Sequence, residues 1–164
     1  TNDLRYKMYY GTPFGCTYGT KVAYNTSNGS DHGIRIAEAY LNRAEAFIRR
    51  SLATGNDGDR VLALNDLNVL RETRYMTGSY VDEQITDANE LLEFCLMERR
   101  LELSLEEGFR WFDIKRLGLS VTHVYIDTEG VEREYILESN SPLYALPIPY
   151  DAIERNYRLE QNPR

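Results

Sequence analysis

Cysteine and histidine are scarce in this sequence of 164 residues, which has two of each: Cys16, Cys95, His32 and His123. Two cysteines so placed give no disulfide framework and no zinc-type spacing. Neither histidine has a serine, aspartate or cysteine partner at the spacing of a known hydrolytic motif. We therefore expect no cofactor, no metal site and no nucleophilic catalysis.

Basic residues are also outnumbered, with 19 lysines and arginines against 26 aspartates and glutamates and a net charge of -7. This is the wrong sign for a surface that binds phosphate backbones or anionic lipid, so nucleic acid is not an expected partner. No stretch approaches the roughly 18 consecutive apolar residues that suggest a membrane-spanning helix. Hydrophobic residues still make up 42% of the sequence. That is enough for one sizeable core, and we expect a single domain over residues 1–164.

Apolar residues recur every three or four positions through the middle of the chain, which is the period of amphipathic helices. The pattern predicts helices over residues 36–52, 61–77, 87–107 and 109–117, with Gly55, Gly58, Gly78, Gly108 and Gly118 at or after their ends. Small and large apolar residues on the first two helices are spaced as in the packed helix pair of a tetratricopeptide repeat: Ala44, Phe47, Ala63, Leu67 and Leu70. The stretch from Ser51 to Asp59 makes the expected connection long, so a generic helical hairpin is the alternative.

The two ends of the chain have a different composition. Residues 1–33 mix tyrosine with glycine and small polar residues, which indicates extended or looped chain. Residues 121–126 and 133–137 are β-branched and aromatic, and the turn residues between them predict a hairpin. A proline-rich segment, 146–149, must be extended, and a helical turn is expected over 151–155. The predicted fold class is all-α: a helical core over 34–118, irregular loops, and a small β-hairpin with an extended tail over 119–164.

Three glutamates, Glu98, Glu102 and Glu106, share one face of the third predicted helix. Paired carboxylates can perform acid–base catalysis, but a glycoside hydrolase needs them placed across a cleft rather than along one helix. Because the glutamates are interleaved with Arg99, Arg100 and Arg110, an ion-pair network that holds helices together is the favoured interpretation.

The candidate ligand-binding residues are four tyrosines of the first segment: Tyr6, Tyr9, Tyr10 and Tyr18. Tyrosine gives a rigid stacking face at low entropic cost, and neighbouring glycines suit a surface loop. The alternative is that these tyrosines pack onto a preceding part of the protein.

Several segments together carry a resemblance to a known family. They are Asp31 and 35–41 with Ala44-Glu45-Ala46, Leu64-Asn65 with Leu70-Arg71, 98–103 through 107–116, and Leu146-Pro147-Ile148-Pro149 with Asn156, Leu159 and Gln161-Asn162-Pro163. In this order they resemble the C-terminal region of the SusD/RagB family of Bacteroidetes outer-membrane lipoproteins. The residues that carry the motif are Arg35, Glu38, Glu45, Glu98, Arg99, Arg100, Glu102, Gly108, Arg110, Trp111, Asp113 and Arg116. They alternate charged with helix-packing apolar types, so we expect them to build a half-buried ion-pair lattice in the scaffold rather than to contact ligand.

The resemblance implies tetratricopeptide-like helix pairs, no catalysis, and capture of glycans or peptides at the cell surface for a SusC-like TonB-dependent transporter. It also implies that this chain is the C-terminal part of a longer protein, whose lipid anchor and usual ligand-binding loops lie outside it. A helical-repeat scaffold that docks a protein partner without binding a small ligand is the alternative.

Overall fold

The computed structural model describes residues 2–11, 18–19, 35–106 and 108–163. Contacts within the chain divide it into two compact units, residues 1–107 and 108–164. These are called the N-terminal and C-terminal units, and single-domain organisation stays a prediction. The elements of the N-terminal unit are α1 (Arg5–Tyr9), β1 (Tyr10–Gly11), β2 (Tyr18–Gly19), α2 (Ile36–Thr54), α3 (Asp57–Glu72) and α4 (Ala88–Glu102). The all-α fold class is confirmed, because helices form most of the regular structure.

The connection between α2 and α3 is two residues long, so the long loop predicted from the sequence is wrong. Gly55 ends α2 with a φ of 71°, the left-handed conformation that glycine adopts at little cost. Asn56 caps the N-terminus of α3, and its side-chain oxygen accepts a hydrogen bond of 3.0 Å from the N–H of Gly58. The glycine signal depends only on neighbouring residues, which is why α2 ends within two residues of its predicted boundary.

Two ion pairs show that α2 and α3 run antiparallel. Arg43 binds Asp66 at 2.7 Å through Nε, and Arg50 binds Asp59 at 2.6 Å. As the residue number rises along α2, that of its partner falls along α3. The helices therefore form an antiparallel hairpin, as a short connection requires.

The core of the N-terminal unit lies between α2, α3 and α4. The thiol of Cys95 lies 3.9 Å from the carbonyl oxygen of Leu41, which places α4 against α2. Asp87 caps α4 by accepting hydrogen bonds of 2.9 Å from the N–H groups of Asn89 and Glu90. The buried apolar residues of these helices are Ala37, Leu41, Ala44 and Ile48 on α2, Ala63, Leu67 and Leu70 on α3, and Leu91 and Cys95 on α4.

The expectation that residues 1–33 are extended or looped is wrong for one short helix. Residues 5–9 form α1, and the antiparallel pairing of β1 with β2 sets Gly11 opposite Tyr18. Residues 12–17 and 20–34 lie outside the described part of the chain. The segment before α1 is fixed by distant backbone: Leu4 donates to the Arg74 carbonyl at 2.9 Å, and Met76 donates to the Asn2 carbonyl at 3.1 Å. Local turn signals cannot reveal such long-range pairing.

The C-terminal unit contains α5 (Phe109–Leu117), β3 (Val121–Ile126), β4 (Glu132–Leu137), a 3₁₀ turn (Pro142–Tyr144) and α6 (Tyr150–Arg155). The predicted hairpin is confirmed: β3 and β4 are antiparallel, with Val121 opposite Leu137. The proline-rich segment forms neither helix nor strand, and it is held by the side chain of Gln161, which accepts from the Ile148 N–H at 2.8 Å and donates to its carbonyl at 3.0 Å.

Trp111 packs less deeply than its place in the apolar stripe of α5 suggests. Its ring is half-buried and lies 5.4 Å from the ring of Tyr144, which is buried. Phe112, the next apolar residue, is 59% exposed. A helix of nine residues has room for one buried face, and Asp113 and Ile114 occupy it here.

Candidate functional site

A cavity of about 280 Å³ lies in the N-terminal unit and brings together three of the four predicted ligand-binding tyrosines. Tyr6, Tyr9 and Tyr10 line it together with Tyr75. Asp3 and Arg5 are the charged residues of its described lining, which also includes Leu101 and Ser104, at the end of α4 and just after it. Tyr18 is placed by its backbone in β2, but its side chain lies outside the described part of the structure.

The tyrosines differ in how much of each ring remains available. Tyr6 stacks on Tyr10, with ring centroids 5.7 Å apart and planes inclined by 27°, and Tyr6 is 60% exposed. Tyr9 is buried, and its hydroxyl donates to the Glu102 carboxylate at 3.4 Å. Burial and that carboxylate raise the pKa of Tyr9, so its hydroxyl stays protonated. Tyr6 and Tyr10 therefore offer a stacking face, whereas Tyr9 belongs to the wall behind them.

Arg5 reaches the cavity from a buried position and is held by two carboxylates. Its guanidinium donates to Asp3 at 2.6 Å and to Glu98 at 2.8 Å. Burial alone would lower the pKa of Arg5, but the hydrogen bonds to Asp3 and Glu98 outweigh it and raise the pKa above its usual value. Burial likewise opposes the ionisation of Asp3, yet Arg5 holds the pKa of Asp3 below its ordinary range. This pair is therefore charged, and mutually compensated, at neutral pH.

Behind the cavity, two glutamates of α4 form the centre of a buried ion-pair lattice. Glu98 is 2% exposed and accepts hydrogen bonds from Arg5 and Arg71. Glu102 is fully buried and accepts from Arg74 at 2.8 and 2.9 Å and from Arg35 at 2.8 Å. Arginines carried by several segments outside α4 thus meet on one helix face.

The sequence predicts that Arg99 and Arg100 take part in the ion-pair network, and their surroundings differ. Neighbouring residues of one helix point in different directions. Arg99 donates to Asn42 at 2.7 Å and lies 4.0 Å from the Glu38 carboxylate, so it joins α4 to α2. Arg100 is exposed. The pairing could not be read from α4 alone, because the partners come from other segments of the chain.

The other motif residues also have structural surroundings. Glu106 accepts from Arg35, and Glu45 accepts from Arg49 at 2.8 Å one helical turn away. In the C-terminal unit, Arg116 donates to the buried Asp113 at 2.7 Å. Gly108 precedes α5, where a Cβ atom would lie 3.1 Å from the Phe112 ring, and Arg110 is exposed.

Sequence reasoning missed Tyr75, Asp3 and Arg5 as lining residues. Tyr75 lies in a loop that also contains Gly78 and Tyr80, so the criterion applied to residues 1–33 would have selected it. Asp3 and Arg5 carry no such signal, since their position depends on the pairing of residues 2–4 with 74–76.

None of the described helices is both long enough and apolar enough to cross a membrane.

Comparison with known proteins covers both units. Residues 5–164 match the profile of the SusD family. A SusD-like protein of Formosa agariphila is 32% identical over 130 residues, which are 78% of this chain and 23% of that protein. A crystal structure of a SusD-like protein from Bacteroides fragilis NCTC 9343 matches with a TM-score of 0.52 at 29% identity, over 79% of this chain and 25% of that one. The chain thus spans about a quarter of the length of these relatives. Because the family profile covers nearly the whole sequence, the chain belongs to the SusD family.

Proposed function

We propose that this chain contributes a glycan-binding surface to a nutrient-capture protein, and that the tyrosine-lined cavity is that surface. The observation that carries the proposal is the exposed ring of Tyr6, stacked on Tyr10 beside Asp3 and Ser104. The C–H face of a sugar ring packs on an aromatic face, while its hydroxyls hydrogen-bond with polar neighbours. A cavity that combines both kinds of group suits a carbohydrate.

The charge of the lining favours a neutral glycan over an acidic one. Arg5 is the cation among the described lining residues, and Asp3 and Glu98 already compensate it. An acidic sugar would therefore meet no unpaired cation on this wall, while the Asp3 carboxylate would repel it. The net charge of -7 also repels an acidic ligand, at longer range.

The burial of Glu98 and Glu102 favours a protein that binds its ligand without catalysis. Glu98 and Glu102 are each held by two or more arginines and lie in the interior of the N-terminal unit. A general acid or base must reach a bound substrate, and these two carboxylates are committed to the scaffold. The fold then serves to hold the tyrosines in place.

In the cell, the whole protein is proposed to be anchored at the outer-membrane surface by an N-terminal lipid outside this chain. There it would pass captured glycans to a SusC-like TonB-dependent transporter. Membership of the SusD family supports this role.

Docking of a protein partner is the second candidate function, and the β3–β4 hairpin favours it. Val124, Ile126 and Ile136 are 55%, 66% and 56% exposed, and the strand register places them on one face of the ribbon. An exposed apolar face of this kind is typical of interaction surfaces. If the hairpin docks the transporter, Ile136→Asp should reduce co-purification of the two proteins and leave glycan affinity unchanged.

The main test is glycan binding by full-length variants on an oligosaccharide array, followed by calorimetry. Tyr6→Ala should weaken binding by about 2- to 10-fold, the worth of one aromatic contact, without lowering the melting temperature. Tyr157→Ala is the matched control, because Tyr157 is 88% exposed and lies in the C-terminal unit. Unchanged glycan affinity in Tyr6→Ala, or binding of peptides in place of glycans, would refute the proposal.

A further inference from the structure

A second cavity, of about 300 Å³, lies beside the loop that follows α3. Tyr75 and Tyr80 give it aromatic surface, and Thr73, Thr77 and Glu72 add polar groups. Met76, which is 53% exposed, also lines it. The chemistry of this lining resembles that of the first cavity, since both combine tyrosine rings with short polar side chains.

Tyr75 lines both cavities, so its side chain is a common wall. Its hydroxyl accepts a hydrogen bond of 2.8 Å from Arg71, and its ring meets Tyr80 edge to face at 5.0 Å. The guanidinium of Arg71 lies over the Tyr75 ring at 5.3 Å. Arg71 is in turn bound to the buried Glu98, which also holds Arg5 of the first cavity. One carboxylate therefore fixes groups that belong to both sites.

Tyr80, another lining residue of the second cavity, is also fixed before any ligand arrives. Tyr80 donates a hydrogen bond of 2.6 Å to the side-chain oxygen of Asn68 on α3, and the Glu83 N–H donates to the same oxygen at 3.0 Å. Ordering these side chains during binding would cost affinity, and that cost is absent when they are held in advance.

Size indicates how the two cavities are used. Sites that bury most of a small ligand measure about 300–1,000 Å³, so each cavity alone is at the lower limit. A ligand that enters both cavities gains a second set of contacts. Once one end of the ligand is bound, the other end is held near the second cavity at a high effective concentration, so the second set of contacts forms readily. A polymer of repeated units meets this requirement, because each unit presents the same apolar face and hydroxyls to a similar lining.

We infer that the second cavity is a further binding site, and that the ligand is a linear neutral oligosaccharide that occupies both cavities across Tyr75. The inference rests on the proposed glycan-binding function and adds to it a second subsite and a minimum ligand length. Glu72, the charged residue among the described lining of the second cavity, disfavours acidic units there too.

The experiment measures affinity against ligand length with the full-length protein. The probes are neutral gluco- and manno-oligosaccharides, each as a series from one to six units, on an array and then in calorimetry. Affinity should rise by about 10-fold or more at the length that first reaches both cavities, as linked binding predicts. Tyr80→Ala should abolish that rise and leave the affinity for the shortest binding probe unchanged.

A second variant guards against misfolding, because Tyr80 also bonds with Asn68. Met76→Ala removes an exposed side chain from the same cavity and should reduce the length-dependent gain with an unchanged melting temperature. The second subsite would be overturned if affinity did not depend on ligand length, or if both variants lost equal affinity for short and long probes. The Tyr6→Ala result, which tests the first cavity, would still stand. If none of the probes binds, or if Tyr6→Ala binds them normally, both proposals fail.

Discussion

Arg5 on α1 donates a hydrogen bond of 2.8 Å to the Glu98 carboxylate on α4, although 93 positions separate the two residues in the sequence. Both side chains are almost completely buried. A buried ion pair offsets its desolvation cost only while both charges are present and hydrogen-bonded. Because α1 also carries Tyr6 and Tyr9, this pair attaches the tyrosine wall of the cavity to the helical core.

Removal of Glu98 should destabilise the protein strongly. In Glu98→Ala, the buried guanidinium groups of Arg5 and Arg71 lose their shared carboxylate, at a cost of about 3–5 kcal/mol. Denaturant unfolding of the N-terminal unit measures the effect. Glu93→Ala is the matched control, since Glu93 lies on the same helix and is exposed. Equal, small effects of the two substitutions would contradict the buried lattice.

Acid should selectively remove the contribution of Asp3. Its pKa is lower in the folded protein than the ordinary value of 3.8, so the unfolded chain binds the proton more readily. The stabilisation is therefore complete above about pH 4 and is lost as pH falls through the lower folded-state pKa. The stability difference between the wild type and Asp3→Asn should stay constant from pH 7 to about 5 and shrink below pH 4. Thermal unfolding from pH 2 to 7 tests this, with the exposed Asp82→Asn as control. A difference that does not change with pH would show that the charge of Asp3 is unimportant.

Helix ends could be predicted because their signals are local. Gly55, Asp87 and Gly118 each act within a few residues, and all three terminate or cap a helix in the structure. The residues that meet Glu98 and Glu102 depend on tertiary packing instead. The sequence therefore indicated a charged network that includes Arg35, but it gave no signal that Arg5 and Arg74 would join it. Composition selected three tyrosines of one cavity, and it missed Tyr75 because the criterion was applied to residues 1–33 alone.

Trp111→Ala should be less damaging than a substitution in the centre of the core. Trp111 is half-buried against Tyr144, whereas Leu91 on α4 is fully buried. We expect a loss of about 1–3 kcal/mol for Trp111→Ala and about 2–5 kcal/mol for Leu91→Ala. Glycan specificity should be unchanged in both. Melting curves of the two variants provide the measurement, and a larger loss at Trp111 would show that it is buried against further structure.

Ligand charge gives the sharpest test of the cavity chemistry. In the wild type, Asp3 and Glu98 neutralise Arg5, so a neutral oligosaccharide should bind better than a matched one that carries a uronic acid. Asp3→Asn keeps the shape of the side chain but removes one of the two compensating charges. Arg5 is almost completely buried, so the main effect is that the partly exposed Asp3 carboxylate no longer repels a carboxylate in the cavity. Because an interaction between partly exposed charges is worth at most about 1 kcal/mol, the preference should shift by roughly 2- to 5-fold toward the acidic ligand. The shift should weaken as salt rises, since screening acts on an accessible charge pair. Competition calorimetry with the two oligosaccharides at low and high salt measures it, and Asp82→Asn provides the control for the change in net charge. An unchanged preference in Asp3→Asn would mean that ligand does not approach Asp3, and the binding surface would then have to be sought elsewhere in the protein.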